Sequence, residues 1–154
     1  MQNHSDLWPL SELPPKAIVI YEGPEVFLNT YAAVSMQHQV SFAAFWLQAE
    51  VLNGGLVQFF SNSTGVLAPE AVAACRKVGL LQLASKVEQA MAWFGTAYPR
   101  DREVRESALE EYADAHPEDD GPFAELEDEV VALIYDEGPG IEQSTRMYLE
   151  AHGS

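Results

Sequence analysis

The chain is poor in positive charge, in cysteine and in the short motifs that mark enzymes. Only eight of its 154 residues are Lys or Arg, against 24 Asp and Glu, for a formal net charge of −16. A surface of that sign repels nucleic acid and anionic lipid and attracts cationic partners. The expectation is therefore no direct nucleic-acid binding and no membrane partner. Cys75 is the single cysteine, which rules out an intrachain disulfide and every multi-thiolate metal site. Its setting, AVAACRKVGL, reads as that of a buried structural thiol. There is no H-E-x-x-H, no phosphate-binding glycine loop, no G-x-S-x-G and no C-x-x-C. His4, His38, His116 and His152 are scattered and lack chemical partners in sequence. No uninterrupted apolar run approaches the roughly 18 residues that a membrane helix needs. The opening MQNHSDLWPL lacks the basic and apolar regions of a secretory signal. These absences predict a cytoplasmic, non-enzymatic protein with no cofactor, no metal and no catalytic residues.

Apolar residues make up 47% of the chain, too many for a disordered acidic protein and enough for one core. The apolar periodicity predicts an all-α, single compact multi-helix domain. Residues 1–24 form an N-terminal extension packed on or flanking that domain, and residues 25–154 form the helical domain. Within the extension, the run Ala17–Tyr21 admits either a short strand or one or two helical turns. A helix is expected from Glu25 to about Met36. Another is expected after Ser41 as N-cap, with Phe42, Phe45, Trp46, Ala49 and Leu52 as an internal apolar stripe. Asn53-Gly54-Gly55 interrupts it, and Leu56–Phe60 restarts it. Further helices follow from Pro69 to about Gly79 and from Leu80 to Phe94.

The negative charge is concentrated at one end. Residues 101–154 carry 17 acids and three Lys or Arg, and between Glu110 and Glu142 there are thirteen acids and no cation. This third still carries helical patterns: Val104, Ala108, Leu109 and Tyr112 on one apolar face, and Phe123, Leu126, Val130, Leu133 and Ile134 on another. A last helix begins near Ile141. The acids are thus held on folded helices. Glu103, Glu106, Glu110 and Asp114 form one ladder at helical spacing, with Glu111 beside it. Glu118, Asp119 and Asp120 crowd the following turn, and Glu125, Asp128 and Glu129 make a second row beside Glu127. A calcium loop aligned on Gly121 fails at its first position, His116, and at its third, Glu118.

The most specific text is Glu50-Val51-Leu52-Asn53-Gly54-Gly55-Leu56-Val57-Gln58-Phe59-Phe60-Ser61-Asn62-Ser63-Thr64-Gly65. It resembles the E-x-x-N-G-G-[FL]-x-Q-[FY]-[FY]-x-N-x-x-G motif of a family of small bacterial all-helical domains that includes a DNA-mimic protein. The resemblance extends over about residues 25–152. The side chains themselves suggest a structural role for Glu50, Asn53, Gly54, Gly55, Gln58, Phe59, Phe60, Asn62 and Gly65, with polar groups satisfying backbone freed at the double glycine. Phe59 and Phe60 are expected to pack beside the Phe42/Phe45/Trp46 stripe.

The resemblance implies a protein whose carboxylates imitate phosphates and occupy the DNA-binding surface of a transcription regulator. On this reading the partner is a basic, DNA-binding protein. A homodimer is suggested only by analogy with the characterised relative. Two rival readings remain: an immunity-type inhibitor of a basic nuclease, and a small-molecule sensor with a polar pocket near Glu50, Asn53 and Gln58.

Overall fold

A computed structural model of the chain describes residues 17–152. Among these residues the chain forms seven α-helices and no strand. They are α1 (Pro24–Ala32), α2 (Met36–Ser61), α3 (Ala68–Lys77), α4 (Leu81–Ala92), α5 (Arg102–Ala115), α6 (Ala124–Asp136) and α7 (Ile141–His152), with a 3-10 turn at Ser63–Leu67 between α2 and α3. The fold is all-α. The optional strand at Ala17–Tyr21 does not form, and neither do helical turns. Instead the Val19 N–H donates to Thr30 Oγ1 on α1 at 3.0 Å, while Ile18 and Ile20 enter the core. A lone run with no strand to pair with satisfies its backbone through side chains. Residues 1–16 of the expected extension lie outside the described residues.

The 26-residue α2 is the axis of the domain, and α3, α5, α6 and α7 all pack on it. By length and composition alone α2 is apolar enough to cross a membrane. Here it is a core helix, burying Val40, Ala43, Ala44, Leu47, Val51, Leu56, Phe59 and Phe60. Its start corrects the expected cap. Ser35 is the N-cap, its hydroxyl accepting from the His38 N–H at 3.2 Å, whereas Ser41 is buried further along, inside the helix. The Phe42/Phe45/Trp46/Ala49/Leu52 stripe is likewise not the fully buried face; it is half-buried, and the smaller residues Ala43, Ala44 and Leu47 face the centre. Small side chains let neighbouring helices approach α2 closely, and that displaces the bulky stripe to the rim.

Two glycines break α2 as the sequence predicts. Gly54 and Gly55 leave helical geometry, and Gly55 takes φ 78°, a region closed to most side chains. After the break, Phe60 does not join the Phe42/Phe45/Trp46 stripe. It sits in a second aromatic cluster, with ring centroids 5.3 Å from Phe94 and 5.2 Å from Phe123, because the kink turns it toward the α4–α5 connection. Trp93 extends that cluster, lying 5.8 Å from Tyr112 on α5 and 5.5 Å from Phe123 at the start of α6.

Candidate protein-binding surface

The acidic third folds as three helices, and most carboxylates of the first two, α5 and α6, and of the turn between them point outward. On α5, Asp101 caps the N-terminus by accepting from the Glu103 N–H at 3.0 Å, and its charge complements the positive end of the helix dipole. Glu103, Glu110, Glu111 and Asp114 are exposed and Glu106 is half-buried, on the sides of the helix away from Leu109. In the turn Glu118, Asp119 and Asp120 are all exposed, and on α6 so are Glu125, Asp128 and Glu129. Only two of these eleven acids meet a cation among the described residues: Glu106 pairs with Arg102 at 3.1 Å, and Glu129 with Lys86 at 2.6 Å. The other nine keep uncompensated charge. Asp119 is held below the usual carboxylate range, first by the Tyr112 hydroxyl that donates to its Oδ2 at 2.6 Å, then by backbone N–H groups of the turn. It therefore stays ionised to lower pH than an ordinary aspartate.

One of the scarce cations, Arg105, is turned inward, which sharpens this asymmetry. The expected apolar face of α5 placed Val104 inside. Val104 is instead 52% exposed, and the inward position belongs to Arg105, which is fully buried. Its Nε donates to the Phe60 carbonyl at 2.8 Å and its Nη2 to the Asn62 carbonyl at 3.0 Å, while Nη1 donates to the Pro99 and Arg100 carbonyls. A guanidinium has five donors in a planar fork, so it can saturate this many carbonyls at once. Burial lowers its pKa below the ordinary arginine value. Nearby, Arg102 Nε donates to the Ser61 carbonyl at 2.9 Å, and Arg100 donates to the Val66 carbonyl and grips Glu70 with two bonds of 2.8 and 3.0 Å. Each of these three arginines serves a carbonyl in the last turn of α2 or in the chain that follows it to Val66, where helix carbonyls lack partners.

The polar motif residues are joined in one hydrogen-bond network. Glu50 is only 8% exposed, and its Oε2 accepts from Gln58 Nε2 at 2.8 Å and from Asn62 Nδ2 at 2.9 Å. Gln58 Oε1 in turn accepts from Asn53 Nδ2 at 3.2 Å. Three hydrogen bonds thus join the acid and three amides to one another across the glycine kink. A cavity of about 360 Å³ adjoins Asn53, lined by Phe45, Gln48, Ala49 and Leu52, and none of its described lining residues is Glu50 or Gln58. Space at the glycines is equally committed: a Cβ at Gly54 would collide with the Gln58 side chain, one at Gly55 would lie 2.5 Å from Glu127 Oε1, and one at Gly65 would lie 2.8 Å from Arg105 Nε.

Two acids that sequence patterning left undistinguished have structural roles. Glu127 turns inward from α6, its Oε1 accepting from the Leu56 N–H at 2.9 Å where α2 restarts. Glu137 accepts from the Gln82 and Leu83 N–H groups at 2.9 and 2.8 Å, capping α4. The signal for Glu127 was present in its spacing, three positions before the core residue Val130. No group of three or more His, Cys, Asp or Glu side chains able to hold a metal ion occurs among the described residues.

In comparison with known proteins, the model of the family described as DMP19-like protein matches residues 32–152, well over half of the chain. No curated protein and no solved structure matches.

Proposed function

The chain belongs to the DMP19-like protein family, and from that membership, joined to the outward carboxylates of α5, α6 and the turn between them, we propose that it is a non-enzymatic DNA mimic. On this reading Glu103, Glu106, Glu110, Glu111, Asp114, Glu118, Asp119, Asp120, Glu125, Asp128 and Glu129 occupy the cationic DNA-binding surface of a transcription regulator. The observation that carries it is the segregation of charge: nine exposed acids without a cation, beside an arginine hidden in the core. Crowded like charges cost stability in the free protein, and a cationic partner offsets that cost on binding. A DNA-binding surface rewards them, because cationic sites arranged for phosphates can pair with carboxylates in charge-assisted hydrogen bonds.

The test is affinity capture from the source lysate at low and moderate salt, with bound proteins identified by mass spectrometry. The reading expects a stoichiometric DNA-binding regulator, held at low salt and displaced by added salt or by competing duplex DNA. A nuclease in its place would contradict the regulator assignment in favour of an inhibitor of a basic nuclease. Absence of any stoichiometric protein would contradict both.

A further inference from the structure

The two acidic helices do not pack substantially on each other; each packs on α2. Their separation therefore depends on what lies between them. One such element is Leu56–Ser61, the stretch of α2 beyond the glycine kink. At its N-terminal end Glu127 of α6 accepts the Leu56 N–H at 2.9 Å. At its C-terminal end Arg102 and Arg105 of α5 donate to the carbonyls of Ser61, at 2.9 Å, and of Phe60, at 2.8 Å. An acid thus holds the amino end and guanidinium groups hold the carboxyl end, the arrangement that a helix dipole favours. Six helical residues have a fixed length of about 9 Å, so the stretch behaves as a rigid strut with one acidic helix attached at each end.

We propose that Leu56–Ser61 is the spacer that sets the separation of the acidic faces of α5 and α6, and that Glu127 and Arg105 are positioning residues for the binding surface. The inference rests on the protein-binding reading of those faces and explains why one glutamate and one arginine of this region are withdrawn from the surface. It also gives the motif a role: Gly54 and Gly55 free the Leu56 N–H for Glu127, and Gly65 leaves room for Arg105, whose Nε would lie 2.8 Å from a Cβ there. A charge-assisted bond to a backbone N–H is directional and short, so it fixes position in a way that contacts among apolar side chains do not.

The test attaches spin labels at Glu110→Cys on α5 and Asp128→Cys on α6 and measures their distance distribution by pulsed electron paramagnetic resonance, leaving the buried Cys75 in place. Glu127→Gln keeps an oxygen acceptor and should reproduce the parent distribution. Glu127→Ala should shift and broaden it, with Leu56 amide exchange faster by about tenfold, the loss of one bond of this class. Glu127→Asp keeps the charge but falls one methylene short, and its distribution should also move; this milder variant decides the matter where the alanine variant does not fold. Faster Leu56 exchange with an unchanged distance would overturn the inference, since Glu127 would then be a helix cap only. Because no partner is needed, failure here is separate from failure of the mimicry reading.

Discussion

The Arg105 guanidinium donates to the Phe60 carbonyl at 2.8 Å inside the core, forty-five residues away in the chain. No ion pair accompanies it among the described residues, and backbone carbonyls are its hydrogen-bond partners. Arg105→Met should therefore strand several buried carbonyls and cost about 3–5 kcal/mol. Arg105→Lys should recover little of that, because an ammonium lacks the planar fork. Urea unfolding midpoints of the two variants check both statements.

Gly55 takes φ 78° with Glu127 Oε1 2.5 Å from where a Cβ would stand. Gly55→Ala should lose about 1–3 kcal/mol through backbone strain and displacement of that carboxylate. For a domain of this size the melting temperature should drop by roughly 2–4 °C for each kcal/mol lost. Gly138, which also has a positive φ but no neighbour within 4 Å, provides the comparison: Gly138→Ala should cost only the strain.

Cys75 is fully buried, and its thiol is pushed up to about 12 by burial, with the Glu137 charge adding and Arg76 opposing. It should resist thiol reagents at pH 8 in the native protein and react at once in denaturant. The sign of its pH linkage follows from the raised value. The unfolded thiol ionises near 9.0 and the folded one near 12, so its contribution is full below pH 9 and is lost as pH rises toward 12. Over that window stability should fall by about 1.4 kcal/mol per pH unit from this group. Cys75→Ala should flatten the slope by one proton in alkaline unfolding curves, while the buried hydroxyls of Tyr31 and Tyr98, also raised chiefly by burial, retain theirs.

Tyr112 and Asp119 predict a local titration change on the acidic surface. Tyr112→Phe removes the strongest influence lowering the Asp119 carboxyl, so that pKa should rise toward the ordinary aspartate value in a carbon-detected NMR titration. The bond favours the ionised carboxylate. Its contribution is present above the unfolded aspartate pKa and disappears as pH falls through the lower folded one.

Much of this fold is written locally. The break at Asn53-Gly54-Gly55, Pro69 in the first turn of α3, and the apolar faces of α4 and α6 all follow from turn chemistry and periodicity, and the structure has each of them. What periodicity misreads is position relative to other helices. Val104 and Arg105 are neighbours in sequence, and hydropathy favours burying the valine. Burial of the arginine depends on carbonyls of Phe60 and Asn62 more than forty residues away, which no local window contains. The Phe42/Phe45/Trp46 stripe is misread for a related reason: a strong apolar face predicts burial but not depth, and the close approach of α3 to α2 selects the alanines.

Among the candidate site residues, outward placement of the acids was legible because every alternative for an unpaired carboxylate is costly. Glu127 stood beside the second row, and its spacing from Val130 hinted at an inward side chain. Its partner, the free Leu56 N–H created by a kink seventy-one residues earlier, was not legible in any local window.

The most direct test of the account compares two variants of equal net charge for binding to the captured regulator. One replaces Glu110, Glu111 and Asp128 by Lys; the other replaces Glu22, Glu25 and Glu150, which are also exposed but lie outside α5, α6 and their turn. Titration at fixed ionic strength, with duplex DNA as competitor, should show binding lost in the first variant and nearly unchanged in the second, both keeping the helical circular dichroism of the parent. Equal weakening of both variants would mean that total charge, and not the faces of α5 and α6, governs the interaction, and the account would be wrong.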